Sequence, residues 1–81
     1  AEALGDARKL VDDAKELRGK KKFRLADETL VKAIALYQKH AAGLTDIAEV
    51  VDAYALLSAV QYNTGRDEDG LKSLTTALGL A

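Results

Sequence analysis

The clearest pattern in the chain lies at residues 53–80, which read AYALLSAVQYNTGRDEDGLKSLTTALGL. Apolar residues recur at helical spacing as far as Tyr62, and Gly65 then interrupts the pattern. A second helix is predicted from Asp67, because acidic side chains are favoured in the first turn of a helix. Its predicted inward-facing residues are Leu71, Leu74, Ala77 and Leu78. This stretch therefore predicts two helices joined by a tight turn.

The composition favours helices throughout. The 81 residues include 15 Ala and 13 Leu, no Pro, and only seven Val and Ile together. Ala and Leu are strong helix formers, whereas Pro interrupts helices. We therefore expect one small all-α domain over residues 1–81, with small side chains where its helices meet.

Two more helices are predicted in the first half of the chain. The first covers about residues 3–18 and ends at Gly19, the residue expected to take a left-handed conformation. The second covers about residues 23–40, where Leu25 and Val31 widen the apolar surface. A helix with so wide an apolar surface should contact two neighbours.

The third helix is predicted over about residues 46–63, with Thr45 or Asp46 as its cap. It carries no charged side chain over residues 53–61, and apolar residues lie on nearly all its faces. Helices with that pattern are buried. We therefore expect the third helix to lie between the second and the fourth.

Short connections make successive helices antiparallel. The predicted fold is four antiparallel helices that form two stacked helical hairpins, at about residues 3–41 and 45–80. The first and third turns would then share one end of the molecule. We expect the basic run Lys20–Arg24 to lie near the acidic run Asp67–Asp69 and to be screened by it.

The charge and hydropathy exclude several function classes. The net charge is −1, from 12 basic and 13 acidic residues, so nucleic acid is not an expected partner. No apolar run approaches the roughly 20 residues that a membrane-spanning helix needs. The first ten residues lack the basic and apolar regions of a signal peptide. We expect a soluble chain, and the absence of Cys fits any compartment.

Catalysis and cofactor binding are not expected either. The chain has no Cys, one histidine, His40, and two serines, Ser58 and Ser73. Ser58 is expected to be packed, and His40 is expected at the opposite end of the layer from the Gly65 turn. His40 also has no second His or Glu-x-x-His arrangement beside it. The residues therefore predict no nucleophilic site, no metal site and no cofactor.

Residues 51–80 resemble a tetratricopeptide repeat. The residues that match the spacing of that family are Tyr54, Leu57-Ser58, Gln61, Gly65, Gly70, Leu74 and Ala77. The chain departs from the family pattern at Ser58 in place of Gly, Gln61 in place of an aromatic residue, and Gly70 in place of Ala. Gly70 is expected to permit a close approach of the third and fourth helices.

An earlier copy of the pattern lies in the first half of the chain. Its matching residues are Leu10, Ala14, Leu17, Phe23, Ala26, Leu30, Ala33 and Leu36. Ala26 and Gly70 occupy equivalent positions 44 residues apart (70 minus 26), whereas the family repeats about every 34 residues. The resemblance thus implies two unequal repeats in a right-handed α–α layer, with an insertion between Tyr37 and Asp52.

In tetratricopeptide proteins the first helix of each pair lines a concave groove that binds a partner. The positions that the resemblance assigns to this groove are Arg8, Val11, Lys15, Arg18, Asp52, Ala55, Ala59, Tyr62 and Asn63. The implied partner is a helix or extended segment with acidic and apolar residues. The alternative is that Ala55, Ala59 and Tyr62 only pack against a neighbouring helix.

The basic run has two interpretations. Its cationic residues are Lys20, Lys21, Lys22 and Arg24. They form either a solvated turn or a patch that binds an anion or an acidic partner.

Two functional hypotheses follow from the sequence. One is a protein-interaction module that binds a peptide or helix of a partner protein. The other is a structural element of a larger helical scaffold, which self-associates or spaces other domains. The absence of Met and of a polar capping helix also leads us to expect a domain of a longer protein.

Overall fold

The computed structural model describes residues 2–44 and 46–80, and four α-helices account for most of them. The helices are α1 (Glu2–Gly19), α2 (Phe23–Lys39), α3 (Ala48–Asn63) and α4 (Asp67–Leu80), with a 3-10 turn at Ala41–Gly43. No strand occurs among these residues. The pairs α1–α2 and α3–α4 form two hairpins, which meet where α2 packs against α3. The prediction of an all-α fold with two stacked hairpins is confirmed.

The core runs through both hairpins and is rich in alanine. Its buried apolar residues are Leu4, Ala7, Val11, Ala14, Ala26, Leu30, Ala33, Ile34, Tyr37, Val50, Ala53, Leu57 and Val60. Alanine at helix contacts brings the backbones close together, and the molecule is correspondingly flat, measuring 34 × 26 × 15 Å. A layer this thin leaves a broad face of each helix pair accessible to a partner.

Both hairpin turns use the same hydrogen bonds, 44 residues apart. The N–H of Lys22 donates to the carbonyl of Leu17 at 2.8 Å, and that of Arg66 donates to the carbonyl of Gln61 at 2.9 Å. This pattern closes a helix when the preceding residue is left-handed. That residue is Lys21 (φ 61°) in the first turn and Gly65 (φ 79°) in the second.

The prediction for Gly19 is therefore half right. Gly19 ends α1, but it stays in the helix, and the left-handed conformation falls two residues later on Lys21. A side chain clashes with its own backbone in this conformation, at a cost of roughly 1–2 kcal/mol. The first turn thus contains local strain that the second turn avoids through Gly65.

We expect Lys21→Gly to raise the free energy of unfolding by about 0.5–1 kcal/mol, because the lost strain exceeds the added flexibility of the unfolded chain. Gly65→Lys should lower the free energy of unfolding by about 1 kcal/mol, because it introduces the same strain in the second turn. Gly19→Ala should be neutral or stabilising, because Gly19 is helical and no atom would crowd its Cβ. Urea unfolding followed by circular dichroism measures all three. Destabilisation by Gly19→Ala would place the left-handed residue at Gly19 instead.

The buried face of α4 differs from the predicted one. Ala77 is buried as expected, but Leu71, Leu74 and Leu78 are exposed, and the buried residues beside Ala77 are Gly70 and Ser73. The prediction that these three leucines face inward is wrong. Their place is taken by small residues, which let α4 approach α3 closely.

Two buried hydrogen bonds join α3 to α4 across this contact. Ser58 Oγ donates to the carbonyl of Gly70 at 2.7 Å, and Ser73 Oγ donates to Gln61 Oε1 at 2.6 Å. A hydrogen bond of this kind contributes about 0.5–1.5 kcal/mol, and leaving one of its buried groups unpaired costs more. These polar pairs hold α4 in the orientation that leaves its leucines outside.

The close approach predicted at Gly70 is confirmed. A Cβ at this position would lie 2.8 Å from Cδ2 of Tyr62 and 3.1 Å from the carbonyl oxygen of Ser58. Both distances are shorter than an ordinary van der Waals contact. Only glycine fits this site without a shift of its neighbours.

The central helices are less enclosed than their sequences indicate. Helix α3 packs against α2 and α4 as predicted, but Ala55 and Tyr62 remain exposed. On α2, which contacts α1 and α3 as expected, Leu25 and Val31 are also exposed. The N-cap of α3 is Ile47, which makes no side-chain cap hydrogen bond. The predicted cap Asp46 lies one residue earlier, where its Oδ1 accepts a hydrogen bond from the N–H of Ala48 at 2.9 Å. The other candidate cap, Thr45, lies outside the described residues.

We expected the acidic run Asp67–Asp69 to screen the basic run Lys20–Arg24, but the ion pairs near the two hairpin turns are different ones. Arg66 forms ion pairs with Asp27 of α2 and with Asp69 of α4. The hydrogen bond to Asp69 raises the pKa of the Arg66 guanidinium, and the charge of Asp27 adds to the shift. Neither ion pair involves the basic run Lys20–Arg24. The turns share one end of the molecule, but the basic and acidic residues that meet there are Arg66 and Asp27.

Candidate functional site

A groove with two adjoining clefts runs between α1 and α3. The first cleft has a volume of about 360 Å³ and the second about 150 Å³. The first is lined by Lys15, Arg18, Gly19, Lys21, Phe23, Leu56 and Asn63. The second is lined by Arg8, Val11, Asp12, Lys15, Tyr37, Glu49 and Asp52. Lys15 lines both, so the two clefts form one continuous groove, which we call the α1–α3 groove.

The residues of α1 that line the groove follow the helical period. Arg8, Val11, Lys15 and Arg18 recur at spacings of three and four, which puts them along one side of the helix. The side chain of Val11 is buried at the floor, whereas the three cations are exposed. All four residues were predicted from the sequence to line a groove, and the structure brings them together there.

The α3 side is only partly as predicted. Asn63 lines the first cleft, and its Oδ1 accepts a hydrogen bond from Nε of Arg18 at 3.1 Å. Ala55, Ala59 and Tyr62 do not line either cleft. The ring of Tyr62 lies over Gly70 instead. For Tyr62 the alternative interpretation, contact with a neighbouring helix, is the one that the structure supports.

Two apolar residues of the first cleft were missed. Phe23 and Leu56 are half-buried and line the cleft beside the cations, and neither was among the positions assigned to a groove. Leu56 lies four residues after Asp52 and seven before Asn63, on the side of α3 that the groove positions share. That spacing is the signal that could have identified it.

The first cleft is basic. Lys15, Arg18 and Lys21 surround it, and its lining contains no acidic side chain. Lys21 reaches the cleft from the left-handed turn after α1. The other cations of the basic run, Lys20, Lys22 and Arg24, are exposed and lie outside the lining. The structure therefore separates Lys21 from the rest of the predicted basic patch.

The second cleft is more acidic. Arg8 forms an ion pair with Glu49, and their second hydrogen bond, from Nη2 to Oε2, measures 3.1 Å. The hydrogen bond to Glu49 raises the pKa of the Arg8 guanidinium, and the charge of Glu49 raises it further. Burial raises the pKa of the Tyr37 hydroxyl at this cleft. Because Glu49 neutralises Arg8, Asp12 and Asp52 outweigh the single cation Lys15.

The groove offers charges and apolar contacts. Within residues 2–44 and 46–80, no three or more His, Cys, Asp or Glu side chains cluster as metal ligands would. No helix in the same ranges is long and apolar enough to cross a membrane.

Comparisons with family models, with curated protein sequences and with solved structures found no match to this chain.

Proposed function

We propose that this chain is a protein-interaction module that binds an acidic, partly apolar segment of a partner protein in the first, basic cleft of the α1–α3 groove. The observation that carries the proposal is the first cleft. Three cations, Lys15, Arg18 and Lys21, surround the apolar side chains Leu56 and Phe23. Such a cleft is complementary to a segment in which carboxylates alternate with apolar side chains.

The apolar contacts and the charges have different roles. Burial of one leucine side chain against Leu56 and Phe23 would contribute about 1.5–3 kcal/mol. Exposed ion pairs with Lys15 and Arg18 contribute little energy each, but they orient the ligand and accelerate association. The expected binding is therefore modest in affinity, selective for acidic segments, and weakened by salt.

The suggestion of a tetratricopeptide-like module depends on the spacing of residues 51–80, which resembles this family. The two hairpins use the same turn hydrogen bonds, but 44 residues apart, whereas the family repeats about every 34 residues. Proteins of that family use the first helix of each pair for binding, and here α1 and α3 line the groove. This common arrangement favours an interaction module over an isolated helical bundle.

A peptide titration tests the proposal. The probe is a short peptide that alternates Glu with Leu, titrated by isothermal calorimetry and followed by NMR. The double variant Lys15→Glu/Arg18→Glu should bind at least about tenfold more weakly, because two attractions become repulsions. The matched control Lys32→Glu/Lys39→Glu makes the same charge change at exposed sites of α2 outside the groove and should bind as the unmodified chain does.

Two results would contradict the groove as a binding site. One is no binding of the acidic peptide at low salt. The other is an equal loss in both double variants, which would indicate attraction to net charge alone.

A second proposed function is that of a structural element that self-associates within a larger helical assembly. The observation that favours it is the exposure of Leu71, Leu74 and Leu78 along α4. Contiguous exposed leucines on a small domain indicate a surface that another protein surface covers.

A further inference from the structure

The exposed leucines of α4 form one continuous stripe. Leu71, Leu74 and Leu78 are spaced three and four residues apart, so they lie along one side of the helix. Their exposed fractions are 57%, 38% and 69%. We call these three residues the leucine face.

The corresponding side of α2, in the first hairpin, is buried. Forty-four residues earlier, α2 carries Asp27, Leu30 and Ile34, and all three are buried. Asp27 is paired with Arg66 of the second hairpin, so this side of α2 is directed toward the neighbouring hairpin. The leucine face is therefore the α4 counterpart of a surface that a second hairpin covers on α2.

A second copy stacked head to tail cannot cover the leucine face. The buried residues of α3 that contribute to the shared core are Val50, Ala53, Leu57 and Val60. Their counterparts 44 residues earlier on α1 are Asp6, Lys9, Asp13 and Glu16, all exposed. Placing these four charges on leucine would remove them from water, at a cost of several kcal/mol per ion. The outer side of α1 is therefore unsuited to this surface.

We infer that the leucine face pairs with the same face of a second copy around a two-fold axis. This inference develops the second proposed function and is independent of the groove. Reversal of the helix about a point between residues 74 and 75 exchanges positions 71 and 78 and pairs position 74 with position 75. In an antiparallel pair, Leu71 of one copy lies beside Leu78 of the other, and the two Leu74 side chains lie on either side of the axis, within one residue of each other.

Charge selects the antiparallel arrangement. The acidic residues Asp67 and Glu68 begin α4, and no ion pair of the described residues neutralises them. Antiparallel helices hold the two acidic turns about 20 Å apart, given a rise of about 1.5 Å per residue, and this exceeds the screening length of about 8 Å. A parallel pair would bring the two acidic turns together.

Sedimentation equilibrium tests the dimer. The unmodified chain should show a reversible monomer–dimer equilibrium between about 10 µM and 1 mM, the range suited to a small interface. Leu74→Glu should remain monomeric and helical, because it places two carboxylates beside the axis. The control Leu25→Glu changes an exposed leucine of α2 by the same chemistry and should dimerise as the unmodified chain does.

Single cysteines test the register, since the chain has no Cys of its own. Leu74→Cys should form a disulfide-linked dimer on mild oxidation, because the two sites lie on either side of the axis. Leu71→Cys should cross-link with Leu78→Cys when the two proteins are mixed, and much less with itself. Efficient cross-linking of Leu71→Cys with itself would instead show a parallel pair.

Two outcomes would overturn the inference. One is a monomer at every concentration, and the other is a dimer that Leu74→Glu does not weaken. If Leu74→Glu unfolds, as judged by circular dichroism, the more exposed Leu78→Glu replaces it. Peptide binding by Leu74→Glu should equal that of the unmodified chain, so failure of the dimer and failure of the groove are separate results.

Discussion

Replacing Gly70 with leucine is expected to lower the free energy of unfolding by about 3 kcal/mol, through overpacking and the loss of a buried hydrogen bond. The new Cβ would lie 3.1 Å from the carbonyl oxygen of Ser58. The ring of Tyr62, at 2.8 Å, is exposed and can rotate away, but the backbone of Ser58 can move only together with α3. Separation of the helices would break the hydrogen bond from Ser58 Oγ to Gly70.

The same substitution at Gly79 provides the control. Gly79 belongs to the same helix, and no neighbouring atom would crowd its Cβ. Leucine is the better helix former, so Gly79→Leu should change the free energy of unfolding by less than about 1 kcal/mol, in the stabilising direction. Urea unfolding gives both values from the transition midpoints. Equal midpoints for Gly70→Leu and Gly79→Leu would contradict the close approach of α3 and α4.

Truncating Leu30 to alanine is expected to lower the free energy of unfolding by about 2–5 kcal/mol, because it leaves a cavity in the core. Leu30 is 0% exposed and belongs to the cluster that joins the two hairpins. A domain of 81 residues has a total stability of roughly 4–12 kcal/mol, so this one change removes a large share. We expect Leu30→Ala to be folded at low temperature and to unfold well below the melting temperature of the unmodified chain.

The leucine face supplies a graded control for this truncation. Leu74 is the counterpart of Leu30 in the second hairpin, and Leu78 is more exposed than either. Leu74→Ala should cost less than about 2 kcal/mol and Leu78→Ala less than about 1 kcal/mol, in proportion to the apolar area already in water. Thermal unfolding at low protein concentration, where the chain is monomeric, measures all three. If Leu78→Ala is as costly as Leu30→Ala, the leucine face is not exposed in the folded monomer.

Part of the lining of the α1–α3 groove could be predicted from the sequence. Arg8, Val11, Lys15, Arg18 and Asn63 were all assigned to a groove by resemblance to a family. The structure places the first four along one side of α1, which agrees with their helical spacing. It brings Asn63 of α3 to the same cleft as Lys15 and Arg18.

The rest of the groove depends on how the hairpins meet. Tyr62 was assigned to the groove but lies against α4, because Gly70 leaves room for its ring there. Phe23 and Leu56 were not assigned to a groove, yet both line the basic cleft. Which side chains line the cleft depends on how α2, α3 and α4 pack against one another, and these contacts join residues that are distant in the sequence.

Local chemistry was sufficient to specify the four helices and the second hairpin turn. Ala and Leu at helical spacing, acidic residues at Asp67–Asp69, and the turn at Gly65 act within a few residues, so the sequence displays them. Local chemistry did not specify which face of α4 is buried, because this helix has two candidate faces. Burial of the leucines would remove the larger apolar area from water. Gly70 and Ser73 instead allow a closer approach of α4 to α3 and complete hydrogen bonds with side chains 12 residues away. That competition is decided only when α3 and α4 meet, and it leaves the leucine face exposed.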